Sequence, residues 1–87
     1  MTTLPAPNVK KAHADSVESK VYSMIENYKQ YIPIMNDRNR LSFCLVKYLN
    51  GEGDEPKIAL KSAKINVEGI STNELAKKLD EELAKIK

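Results

Sequence analysis

Nine residues in the middle of the chain, Leu41-Ser42-Phe43-Cys44-Leu45-Val46-Lys47-Tyr48-Leu49, form its most apolar run. Any core that 87 residues can build has to include them. They hold the only Phe and the only Cys, and a turn signal, Asn50-Gly51, follows at once. Read as a strand, Leu41, Phe43, Leu45 and Leu49 share a face, with Lys47 as the misfit, and Ser42, Cys44, Val46 and Tyr48 line the other. Read as a helix, Leu41, Cys44, Leu45, Tyr48 and Leu49 form a stripe between Asn36 as N-cap and Gly51 as C-cap. Periodicity alone does not separate the two in so short a run. Phe43, Val46 and Tyr48 favour strand by propensity. The sequence that follows adds weight: Asn50 to Pro56 is a polar, glycine-containing loop, and Lys57-Ile58-Ala59-Leu60-Lys61 alternates like a strand. A lone strand leaves its backbone donors and acceptors unpaired, and the two runs are natural antiparallel partners across a hairpin loop. We therefore read 41–49 as a strand; a helix there would make the fold mostly α.

The flanks are easier to read. Asp15 and Glu18 stand in capping-box register, and Val17, Val21, Met24, Ile25, Tyr28 and Ile32 then recur at three- and four-residue steps. That spacing places them on one stripe of a helix, which Pro33 ends. Tyr31 lies at the margin of the stripe and Tyr22 well off it. Asn36, Asp37 and Asn39 are turn formers, which makes 34–40 a connection. Ile65 and Val67 alternate out of phase with Ile58 and Leu60, so a bulge or turn is expected at Ser62-Ala63-Lys64. The last helix has the clearest start: Ser71 as N-cap with Glu74 three residues on, and Ile70 and Leu75 placed as a staple. Leu75, Leu79, Leu83 and Ile86 form its buried stripe, with Ala76 beside it, and its charges read as a solvated face with pairs at i,i+4. The expected fold is a two-layer α+β domain over residues 15–87, helix, two or three antiparallel strands, helix. A flexible arm over 1–14 precedes it, in which Pro5 and Pro7 disfavour regular structure and Lys10, Lys11 and His13 are basic.

Several chemistries find no support. A nucleophilic Cys44 needs an adjacent base, and the only His, His13, lies in the arm; a lone Cys in an apolar run is a small buried hydrophobe. Glu52, Asp54 and Glu55 cluster in a glycine-rich loop without the cleft that tunes catalytic carboxylates and without the ligand spacing of a calcium loop. Asn50-Gly51-Glu52-Gly53 lacks the lysine and helix start of a phosphate cradle. One Cys and one His make no zinc set. The chain reads as no enzyme, with no metal and no cofactor. The N-terminus shows no apolar core of a signal peptide, and no run approaches the roughly 20 apolar residues of a membrane helix. A single cysteine fits a cytoplasmic setting.

Binding remains. Charged residues make up 30% of the chain with a formal net charge of +2, which is not the excess of a dedicated nucleic-acid binder. Arg38, Arg40, Lys47, Lys57, Lys61 and Lys64 would nevertheless gather near a hairpin, with Tyr48 as a stacking surface. The order helix, three strands, helix over most of 15–87 resembles double-stranded-RNA-binding domains in topology. That family's basic cluster at the start of its last helix is replaced here by Ser71-Thr72-Asn73-Glu74, with Lys77 and Lys78 a turn later. The preferred reading is a small non-enzymatic regulatory or inhibitory protein, of the kind viruses encode. It would act by binding a protein partner, with a homodimer as one form. A marginal core, a sheet edge and surplus tyrosines (Tyr22, Tyr31 and Tyr48 as contact residues) fit that reading.

Overall fold

The computed structural model describes residues 17–86; the arm over 1–14 and the helix start at Asp15 lie outside the described residues. Among the described residues there are four helices and no strand: α1 (Val17–Glu26), α2 (Met35–Leu49), α3 (Pro56–Ser62) and α4 (Thr72–Ile86). The α+β reading is therefore overturned, and its mostly α alternative is the fold. The helix–strands–helix likeness to double-stranded-RNA-binding domains falls with it.

The reason lies in the side-chain period. A strand at 41–49 would bury Leu41, Phe43 and Leu45 together. Instead Leu41 and Leu45 are fully buried, one helical turn apart, while Phe43 between them is 58% exposed. Lys47, the misfit of the strand, lies on the solvent side of α2. The supposed second strand is also helical. Pro56 occupies the first turn of α3, where its missing N–H costs nothing and its fixed φ suits the helix. Ala59 and Leu60 are buried and Ile58 is exposed. The turn formers Asn36 and Asp37 stand in the first turn of α2, whose N-cap is Ile34 with no side-chain cap bond.

Two helix ends share one stop. After α2, Gly51 takes φ +78, and the Gly51 and Glu52 amides donate to the Tyr48 and Lys47 carbonyls. After α3, Lys64 takes φ +54, and the Lys64 and Ile65 amides donate to the Lys61 and Leu60 carbonyls. Both are Schellman motifs. The second seats buried Ile65 beside buried Leu60. The expected turn at Ser62-Ala63-Lys64 is thus real, but it ends a helix.

α1 is shorter than its stripe implies. Beyond Glu26 the chain tightens: the Asn27, Tyr28 and Lys29 amides donate three residues back. Ile32 is still fully buried, so the expected face persists past the regular helix. α4 follows the sequence closely. The Glu74 amide donates to Ser71 Oγ at 3.1 Å, the Ser71 hydroxyl to Glu74 Oε1 at 3.3 Å, and Leu75, Leu79 and Leu83 are buried.

α2 packs on α1 and α3, and α4 closes the other side against α1 and α3. One cluster, built on Val21, Ile25, Ile32, Leu41, Leu45, Leu75, Leu79 and Leu83, sits between them. A buried carboxylate ties the start of α2 to the segment before α4: Asp37 Oδ2 accepts from the Asn66 amide at 2.9 Å, and Oδ1 pairs with Arg40.

Candidate functional site

α2 and α3 run as a helical hairpin, and a groove lies on its outer side. At one end it is lined by Asn39, Arg40, Phe43 and Cys44 of α2 with Ser62, Ala63 and Lys64. It continues, past Cys44 and Ser62, between Lys47, Ala59 and the loop residues Glu52, Gly53 and Asp54. Gly53 is needed there: a Cβ would sit 3.0 Å from Lys47 Cβ and 3.2 Å from the Tyr48 amide nitrogen. The loop therefore lies directly on the last turn of α2.

The groove has an apolar middle, cations at one end and charges of both signs at the other. Phe43 is its largest exposed apolar side chain, with the Lys47 ammonium 5.2 Å from its ring centroid, within the range of a cation–π contact. Cys44 is a half-buried free thiol at the centre. Arg40 and Lys64 stand at one end, and Lys47 with Glu52 and Asp54 at the other. Arg40 is answered by Asp37, whereas Lys64 is exposed and makes no ion pair among the described residues.

The residues nominated from sequence are dispersed. Tyr22 is half-buried on α1. Tyr31 is half-buried after α1, its ring 6.3 Å from that of Tyr28 and its carbonyl accepting from the Glu68 amide. Tyr48 is half-buried on α2. None of the three lines the groove. Of the basic set, Arg38 is committed to the fold: Nη1 donates to the Ile32 carbonyl at 2.9 Å, and Nε to Glu26 at 3.2 Å. Lys57 and Lys61 are exposed on α3 and do not line the groove, and Arg40, Lys47 and Lys64 border it. Burial, followed by the nearby Glu82 and Glu81 carboxylates and Tyr31, raises the Tyr28 phenol above its ordinary value.

Phe43 is the residue that reading the run as a strand assigned to the core. The signal for its true place was present: on a helical projection it falls outside the stripe of Leu41, Cys44, Leu45, Tyr48 and Leu49. It shares a face with Asn36, Asn39, Arg40 and Lys47. Among the described residues no helix is long and apolar enough to cross a membrane. Comparison of the chain with protein-family models, with curated proteins and with solved structures returns no match.

Proposed function

We propose that this chain is a small non-enzymatic regulatory protein that acts by binding protein, and that the α2–α3 groove is its contact surface. One observation carries the reading: Phe43 is 58% exposed at the centre of a helix face otherwise made of Asn, Arg and Lys. A large aromatic in that setting contributes nothing to the core, and aromatic anchors surrounded by polar groups are the usual energetic centres of protein interfaces. A groove with both signs of charge at its ends also suits a protein surface better than the uniformly negative backbone of a nucleic acid. The single thiol fits an intracellular setting.

Photo-crosslinking from position 43 tests this. With a benzophenone amino acid in place of Phe43, protein adducts are expected in cells, and few from the same probe at Ile58, which is exposed but off the groove. Equal labelling from both positions, or none from position 43, refutes the reading. Binding to generic duplex DNA or RNA that weakens steeply with salt would replace it with nucleic-acid binding.

A further inference from the structure

We propose that the occupant of the α2–α3 groove is an acidic amphipathic helix of a partner protein. It seats an apolar side chain between Phe43 and Ala63 and sets a carboxylate on Arg40 and Lys64. This deepens, and rests on, the reading of the groove as a protein-binding surface.

Charge is segregated along this hairpin. Its helices carry Arg38, Arg40, Lys47, Lys57 and Lys61, and Lys64 follows α3 directly. Arg38 is spent inside the fold on Glu26 and the Ile32 carbonyl. The one carboxylate in either helix, Asp37, is buried and already bonded to the Asn66 amide and Arg40. The remaining acids, Glu52, Asp54 and Glu55, stand in the connecting loop. At the Arg40 end of the groove Phe43, Cys44 and Ala63 supply an apolar floor, and none of the described residues lining that end is a carboxylate. Arg40 gives one nitrogen to Asp37 and keeps N–H donors for a second acceptor. Glu52 and Asp54 at the far end would repel a polyanion laid along the whole groove. Negative charge is thus favoured at one end only, beside an apolar anchor, which describes an acidic protein segment rather than a phosphate backbone.

Lys64 is an independent pointer to the same end. Among the described residues it shares positive φ with Gly51 and Gly69 alone. Glycine would hold φ +54 without cost, and a long cationic side chain kept against strain at the rim of a groove points to a use there. The form of the occupant follows from the walls. Both are helices, whose amides and carbonyls are taken up by their own ladders, and the Lys64 and Ile65 amides are spent on the turn that closes α3. Among the described residues there is no strand whose edge an extended peptide could join. An occupant must therefore satisfy its own backbone and offer side chains alone, as a helix does. Its apolar anchor and its carboxylate then stand three or four residues apart, on one face.

The test is selection with the full chain from a library of random peptides of about 16 residues, long enough for four helical turns. Enriched sequences should carry Asp or Glu three or four residues from Leu, Met, Phe or Trp. Synthetic copies should bind the full chain in the micromolar range by fluorescence anisotropy. Phe43→Ser and Lys64→Glu should each weaken that binding about tenfold or more. Lys78→Glu makes the same change of net charge on an exposed part of α4 off the groove, and should bind as wild type does. Lys64→Gly should raise the melting temperature yet weaken the peptide, a combination that a purely structural lysine would not give. No enrichment, enrichment without acidic residues, or equal weakening by Lys64→Glu and Lys78→Glu overturns the acidic helix as occupant. Binding of generic duplex RNA that is lost in Lys64→Glu and unchanged in Phe43→Ser would place a polyanion there and overturns it as well. The groove as a protein site would survive failure of the peptide selection and fails separately, when position 43 gives no protein adducts.

Discussion

Asp37→Ala should be among the most damaging single changes outside the apolar core. The carboxylate is 6% exposed and performs three tasks. It accepts from the Asn66 amide across a separation of 29 residues, and so pins the segment before α4 to the start of α2. A hydrogen bond to a charged acceptor contributes about 1.5–3 kcal/mol. It pairs with Arg40, whose side chain is 52% exposed, and a pair that open contributes roughly 0.2–1 kcal/mol. It is also the acidic residue in the first turn of a helix that has no side-chain cap, which adds roughly 0.3–1 kcal/mol. These overlap, and the Asn66 amide can be partly rehydrated, so a loss of about 2–3 kcal/mol is expected. In a domain of this size that lowers Tm by about 10–20 °C. Urea denaturation followed by circular dichroism gives the free energy, and amide exchange at Asn66 reports the bond itself. Arg40→Ala is the control, since it removes only the exposed pair and should cost under about 1 kcal/mol. If Arg40→Ala costs as much as Asp37→Ala, or if the Asn66 amide exchanges equally fast in wild type and Asp37→Ala, the carboxylate is not the tie described.

Three further outcomes are expected. Gly53→Ala should destabilise by about 1–3 kcal/mol, because its Cβ meets the Tyr48 amide nitrogen at 3.2 Å and the Cys44 carbonyl at 3.3 Å; chemical denaturation measures it, and a neutral result would mean the loop lifts off α2. Tyr28 has its phenol raised by burial first, then by Glu82, Glu81 and Tyr31. Its contribution is therefore complete below the ordinary tyrosine value of about 10 and is lost as pH rises from there through the folded-state value. Thermal melts at pH 9 and 11 should show a smaller alkaline loss in Tyr28→Phe than in wild type, and equal losses would refute the assignment. Phe43→Ser, followed by thermal melts, should stay within about 0.5 kcal/mol of wild type. Leu45→Ala, two residues on and on the buried face of the same helix, should cost about 2–5 kcal/mol.

Each element was legible in the sequence to the degree that its signals were local. The start of α4 is fixed by Ser71 and Glu74, whose side chains bond one another and the chain between them, and the structure keeps those bonds. The stripe of α1 holds as a buried face, although the regular helix stops at Glu26. The middle of the chain failed because its evidence was relational. The strand at 41–49 was inferred from a partner at 57–61, and that partner from an alternation only five residues long. Pro56 was taken as the end of a loop, although proline is equally at home in the first turn of a helix. Once α3 is a helix, α2 has no strand to pair with, and the single wrong inference accounts for both errors. Asp37 was missed for a different reason: its partner amide is 29 residues away, and no local pattern marks a carboxylate that accepts from a distant backbone.

The change of secondary structure also reverses the sense of the central run. As a strand it would be the core of a sheet, and its one charged residue would be a defect. As a helix it has two faces with separate tasks. Leu41 and Leu45 hold the domain together and are fully buried. Phe43 and Lys47, one turn apart on the other face, touch each other and solvent. Lys47 is then ordinary and Phe43 is the anomaly, since nothing in the folding of the monomer requires a Phe at that position. Selection for stability acts on the first face, and an interface is the simplest physical reason for the second. Because the two faces share a rigid helix, a surface built on the second is pre-organised by the core packing of the first. Stability and binding can therefore be altered independently from neighbouring residues of α2.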